Sequence, residues 1–391
     1  MKKHLLRLAF INGLLFLSIC IFAQEYSDFY FTRVNGENGL SESNVKAILQ
    51  DSYGFMWFGT KNGLNRYDGT SILQFDCDDL EEGTGNHNIG ALFEDKERNL
   101  WVGTDRGVYI YNPAVDVFKR FKIASSEGIT LDNWVAEILS DSLDNIWVLI
   151  PDQGLFRYKD GKVHHYSLID KDNLKNNNPE CICINEQGEV WVGTSGIGLF
   201  KYNYRDDNFE QYLTDRMGRS LIDKTIISIC FQKENAILGI HEGDLLKYNT
   251  RTDELSEVSF LGEKKTFLRD VMCFGDEIWV GSLHGIFIIN EKENNVIHLK
   301  EDLMRSFSLS DNSIYSIYKD YEGGIWIGTM FGGVNYLPNR ILTFAKYVPG
   351  SDPYSLNTKR IRGLAEDNNG CIWIGTEAVS YTHLRAHETG R

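Results

Sequence analysis

Apolar and polar positions alternate two apart along most of this chain. VKAILQD (45–51) and SIYSIYKD (313–320) carry the period of a strand. Runs of this kind close on an acid or amide at Asp51, Asp95, Asp141, Asn185, Asp320 and Asp367. A Gly or Asn follows at Gly54, Asn99, Asn145, Gly188, Gly324 and Gly370. Asx side chains bond their own backbone two residues on, and Gly accepts positive φ, so each such segment predicts a hairpin turn. A second apolar run comes next, then a Gly six or seven residues past its Trp, at Gly63, Gly107, Gly154, Gly198, Gly285 and Gly333. A third run often ends in Tyr (Tyr67, Tyr111, Tyr158, Tyr202, Tyr248, Tyr336), and a fourth is typified by SILQF (71–75), VFKRF (117–121) and KVHHY (162–166).

The second run is nearly one phrase: WFGT (57–60), WVGT (101–104), WVLI (147–150), WVGT (191–194), WVGS (279–282), WIGT (326–329) and WIGT (373–376), with a worn ILGI (237–240) in the one gap. Successive copies lie 44, 46, 44, 46, 42, 47 and 47 residues apart. Trp57, Trp101, Trp147, Trp191, Trp279, Trp326 and Trp373 keep this phase; Trp134 alone does not. Four short antiparallel strands per repeat predict an all-β fold, a β-propeller of seven blades plus the start of a further one. Alternation sends Trp and Gly of each phrase to one face, so the Trp should fill the wedge between blades and the Gly should admit the neighbouring sheet. Such a ring is worth on the order of 3 kcal/mol. Blades three and five, with Leu149-Ile150 for Gly-Thr and Ile237 for Trp, should pack less tightly or serve another role. The expected organisation is a secretory leader over 1–23, the propeller over 24–350, the first part of an eighth repeat over 351–377, and a tail over 378–391 without strand alternation that reads as non-native sequence. The segment 30–43 is expected to supply an outer strand that latches the last blade.

The pattern D-x-x-G-x-[IL]-W-[IV]-G-T-x-x-G-[LV]-x-x-[YF], with the lead-in FTRVNGENGLSESNVKAILQD, resembles the two-component regulator propeller repeat. Residues 24 to about 377 are similar to the N-terminal sensor region of Bacteroidetes hybrid two-component system proteins. The resemblance implies a periplasmic pair of propellers, then a β-sandwich, a membrane helix, a histidine kinase, a receiver and a DNA-binding output. It implies glycan-derived ligands and a homodimer in the full-length protein. The stretch present here has no phosphoacceptor histidine box, ATP-lid glycine motif or receiver, so the fragment is not expected to be an enzyme. Its contact with a membrane is expected only through a C-terminal part outside it.

Composition narrows this reading. MKKHLLRLAFINGLLFLSICIFAQ has a basic start, an apolar stretch and a cleavage-like Ala23-Gln24, which predicts export. The net charge of −15 becomes −18 once Lys2, Lys3 and Arg7 leave with the leader, which argues against nucleic acid. Export permits disulfides, but Cys181, Cys230 and Cys273 lie in apolar runs and read as buried small hydrophobes. Cys181 and Cys183 are half of a metal site at best, so no metal and no cofactor are expected.

Candidate ligand contacts fall on one rim, where loops lead into the inner strands and join second to third strands. Trp134 stands there seven residues before Asp141, where other repeats have Asn44, Asn88, Asn178 or Ser313. Its ring either stacks on a sugar or plugs the channel. Lys61, Arg106, Gln153, His241, His284 and Phe331 occupy the second-to-third-strand loops of the same rim, suited to sugar hydroxyls. Three functions remain open on sequence alone: a sensor that recognises an oligosaccharide, a propeller lyase or glycosidase, and a structural dimerisation ring. No carboxylate pair stands apart from the turn-forming acids, and a propeller by itself implies no function.

Overall fold

The computed structural model describes residues 29–76, 88–122, 128–168, 179–260, 266–305, 307–339, 356, 358, 360–368, 372–377 and 381–384. The expected leader lies outside them. The chain divides into two compact units, one of residues 1–301 with 309–338 and one of 302–308 with 339–391.

In the first unit the hairpins become seven four-stranded antiparallel blades. Their inner strands are Val45–Gln50, Ile89–Glu94, Glu137–Ser140, Pro179–Ile184, Ile222–Gln232, Leu268–Phe274 and Ile314–Lys319. Blade 7 takes its outermost strand from the other end of the unit: Thr32–Val34 pairs antiparallel with Val334–Leu337, matching Arg33 to Asn335. The latch expected of 30–43 is thus formed.

Each Trp fills the wedge toward the next blade. Trp57 packs with Ile89, Val102 and Tyr109 of blade 2, and Trp101 with Val135, Ile146 and Val148 of blade 3. The series closes on itself, because Trp326 of blade 7 packs with Val45, Ile48 and Phe58 of blade 1. All six Trp rings in this position are at most 6% exposed. The repeated acid has a second task beyond its turn. Asp51 Oδ1 accepts the amides of Tyr53 and Phe55, while Oδ2 accepts the Trp57 indole N–H at 2.7 Å. Asp95, Asp141 and Asp320 hold Trp101, Trp147 and Trp326 the same way. A buried indole N–H is stabilised by such an acceptor. Trp279 uses Glu277 instead, and Trp191, which has Asn185 in place of the acid, has no hydrogen-bond partner for its N–H among the described residues.

The glycines do what the alternation predicts. A Cβ on Gly59 would stand 2.5 Å from Ile89 of blade 2, and one on Gly103 2.6 Å from Val135 of blade 3. Thr60, Thr104, Thr194 and Thr329, and Ser282 in the same place, donate to the Gly carbonyl across the following turn, as Thr60 Oγ1 does to Gly63 at 2.9 Å.

Two expectations about this unit need correction. Blade 3 is not loose: Leu149 and Ile150 are fully buried, and Leu149 joins Ile182 and Val192 of blade 4. The inner strand it faces begins with Pro179 instead of a branched aliphatic residue. Cys230 and Cys273, read as isolated hydrophobes, form a disulfide. Their 43-residue separation is one repeat, so they stand side by side on the inner strands of blades 5 and 6. Cys181 is buried and free. The bond spans the interface where Ile237 replaces the Trp, which is itself fully buried. Blades 4 and 5 are joined differently, by backbone pairing of Ser195 with Thr225 and Ile197 with Ile222.

The second unit contains the eighth phrase in a sheet of Ile361–Glu366, Ile372–Thr376 and Tyr381–Leu384. The last strand lies in the tail expected to have none and pairs with the WIGT strand in the third-strand place. Trp373 still donates to Asp367, at 3.0 Å, but is 41% exposed. Among the described residues no helix is long and apolar enough to cross a membrane.

Candidate ligand rim

Inner strands start, and second strands finish, at the same end of every blade. The loops named from sequence therefore share one rim. Just inside it the inner strands carry bulges, with the register shifting between Val45 and Ala47, Ile89 and Ala91, Pro179 and Cys181, Ile226 and Ser228, Leu268 and Asp270, and Ile314 and Ser316. A bulge breaks the alternation that sends side chains into the blade interfaces. The extra residue is left at the innermost edge, at the channel mouth. Around the ring these are Lys46, Gly90, Ala136 (at the equivalent place in blade 3), Glu180, Ile227, Arg269 and Tyr315.

Gly90 is where Trp134 fits. A Cβ there would lie 2.6 Å from Cζ2 and Cη2 of the indole, which reaches from the blade 3 lead-in across blade 2. The Lys46 ammonium of blade 1 sits 4.6 Å from its ring centroid. Burial lowers the Lys46 pKa, Lys61 lowers it further, and Asp105 opposes them. On the other side of Lys46, the Arg269 guanidinium lies 5.7 Å from the Tyr315 ring. Across the mouth, burial raises the Glu180 pKa and the Asp152 charge adds to it.

The rim-loop candidates divide into groups. Lys61 and Arg106 are exposed on blades 1 and 2. Gln153 is half-buried on blade 3; its carbonyl bonds His165 Nε2 at 2.7 Å, while its side-chain Oε1 has no partner. His241 packs on Phe267, ring centroids 5.0 Å apart, and His284 Nδ1 bonds Thr266 Oγ1 at 2.6 Å. Phe331 is 70% exposed and Phe267 49%. Two further buried amide oxygens lack partners, Asn44 Oδ1 and Asn88 Oδ1, both in lead-ins to inner strands. Sequence reasoning named Trp134 and the loops as candidates and did not name Lys46, Glu180, Arg269 and Tyr315, which the structure places at the same mouth. Their common place, five residues before the turn-opening position, is visible in the sequence once the bulge is known.

Deeper in the channel, Glu137 Oε2 accepts the Ile182 amide of blade 4 at 2.6 Å, and Asp270 Oδ2 accepts the Ile317 amide of blade 7 at 2.8 Å. Burial pushes Glu137 up to about 8, and Asp270 up to about 6. Each carboxyl pairs an inner-strand amide of the following blade. These groups are occupied in holding blades together. Among the described residues no three side chains are gathered to hold a metal.

The model of the two-component regulator propeller matches residues 39–62, 83–106, 308–331 and 355–378. These four stretches are two-component regulator propeller repeats. The chain is 27% identical over 234 residues to the histidine kinase P4 of Formosa agariphila, across 58% of this chain and 17% of that protein. It resembles the extracellular domain of a putative hybrid two-component system from B. thetaiotaomicron, at TM-score 0.69 and 24% identity, covering 92% of this chain and 49% of that one. A second such domain from that organism superposes with TM-score 0.67 at 21% identity, over 91% and 52%. The chain spans about half the length of these solved domains and a sixth of the kinase.

Proposed function

We propose that this regulator propeller is a periplasmic sensing region of a hybrid two-component signalling protein and that it recognises a glycan-derived oligosaccharide at the bulged rim. The observation that carries the reading is the rim itself: the exposed rings of Phe331 and Phe267 and the half-buried Trp134 lie at the same end as the unpartnered amide oxygens of Asn44, Asn88 and Gln153. Sugars offer apolar ring faces to aromatics and hydroxyl donors to orphan acceptors. The disulfide between Cys230 and Cys273 fits an oxidising compartment outside the cytoplasm. Relatives named as a histidine kinase and as extracellular domains of hybrid two-component systems support the signalling role. The signal would pass to a kinase in another part of the protein, with a homodimer as the transmitting form.

Calorimetric titration against a panel of plant and algal oligosaccharides, followed by chromatography of the mixtures, tests this. Saturable binding with sugars recovered intact is expected. Cleaved product would instead establish a lyase or glycosidase, and an absence of binding across the panel would overturn the rim as a glycan site.

A further inference from the structure

The mouth of the channel carries a charge pattern that the sensor reading does not use. With 55 acidic against 40 basic residues, cations on this chain have carboxylates to choose from. Many take one: Lys96 pairs with Asp144, Arg157 with Asp207, Lys201 with Glu189 and Lys247 with Glu291. Lys46 and Arg269 do not. Each lies over an aromatic ring and has no hydrogen-bond acceptor among the described residues.

Their order around the ring is the informative part. Blades 6, 7 and 1 contribute Arg269, Tyr315 and Lys46 in succession, and the indole of Trp134 reaches over Gly90 of blade 2 to complete the arc. Cation, ring, cation, ring therefore follow one another. An ammonium carries three donors and a guanidinium five, and a π face satisfies neither in full. Lys46 is moreover half-buried with Lys61 close enough to depress its pKa, an arrangement that costs free energy unless an anion joins it. Asp105 is the acidic group that opposes this, and the acids Glu180 and Asp152 stand on the far side of the mouth.

We propose that the arc of Arg269, Tyr315, Lys46 and Trp134 is a subsite for an acidic sugar, with a uronate carboxylate between the two cations and its pyranose ring against an aromatic face. The inference rests on the glycan-sensing reading and adds the ligand's charge. Glu180, opposite, orients the ligand by repelling its acidic end. Gly90 is required because any side chain there would displace the indole.

The test is calorimetry on the full chain with tetragalacturonate and, as its neutral counterpart, β-1,4-galactotetraose, at low and high salt. The acidic tetramer should bind at least about tenfold more tightly, with affinity falling as salt rises. Lys46→Met and Arg269→Met should each abolish most of that preference, and Lys46→Arg should retain it. Circular dichroism and thermal melting of each variant confirm that the ring is intact, and two cations on different blades guard against one variant misfolding. Equal binding of both tetramers, or folded Met variants that keep wild-type preference, would overturn the acidic subsite and leave the glycan reading standing. Failure of both tetramers and of the wider panel would overturn that reading and this inference with it.

Discussion

Single atoms decide how the blades meet. Gly103 and Gly375 occupy the same position in the repeat, yet a Cβ at Gly103 would strike Val135 at 2.6 Å while one at Gly375 would meet nothing nearer than 3.7 Å. Gly103→Ala should therefore destabilise the ring by about 1–3 kcal/mol, as overpacking does. Gly375→Ala should be close to neutral, and urea melts of the two variants make the comparison. Glu137 gives a pH signature. Burial raises its pKa from 4.5 to about 8, so its contribution to stability is fully present below the unfolded value and is lost as pH climbs through 8. Glu137→Gln keeps an oxygen for the Ile182 amide and cannot ionise. The melting temperature of the wild type should fall between pH 5 and 8 more than that of the variant, and parallel profiles would contradict the assignment. Asp–Trp bonding belongs to this scale too. The sequence showed an acid or amide six residues before most of the repeated Trp residues and explained it by turn chemistry, but the indole bond of Asp51, Asp95, Asp141 and Asp320 could not be inferred without the hairpin's geometry.

Elements show how one ring uses several kinds of joint. Most interfaces have a Trp wedge; blades 4 and 5 add backbone pairing; blades 5 and 6 have Ile237 and a disulfide instead. Replacing Cys230 and Cys273 by Ala should cost about 2–4 kcal/mol, measured by denaturant unfolding, because the bond closes a loop of repeat length where the wedge is smaller. Wild-type protein treated with reductant should match that variant. The strands were legible because alternation and turn residues agree in every repeat. Cys230 and Cys273 were misread because each lies in an apolar run; only their separation of one repeat marks them as neighbours. The bulges were illegible for a different reason. A bulge is an irregularity in pairing, and the period of two says nothing about where Lys46 or Arg269 points once it is interrupted. The candidate site was thus half visible: its loops and Trp134, but not the charged arc beneath them.

The whole molecule is the scale at which the first unit becomes a ring. Thr32–Val34 belongs to blade 7 and leads directly to blade 1, so the closing contact is both a ladder and a packed Trp326. Deleting 29–34 should open those amides of Val334–Leu337 that face Thr32–Val34 to rapid hydrogen exchange and lower the melting temperature, whereas protection there equal to wild type would show that the strand is dispensable. A closed ring gives a rim on which residues distant in sequence face one ligand. Trp134 is the natural reporter, since the other tryptophans of the ring are sealed between blades. The decisive measurement is tryptophan emission during titration with a sugar that calorimetry shows to bind, in wild type and in Trp134→Phe. The account predicts a saturable change at the calorimetric affinity that disappears in the variant. Binding with emission unaltered in the wild type, or an equal change in Trp134→Phe, would place the ligand elsewhere.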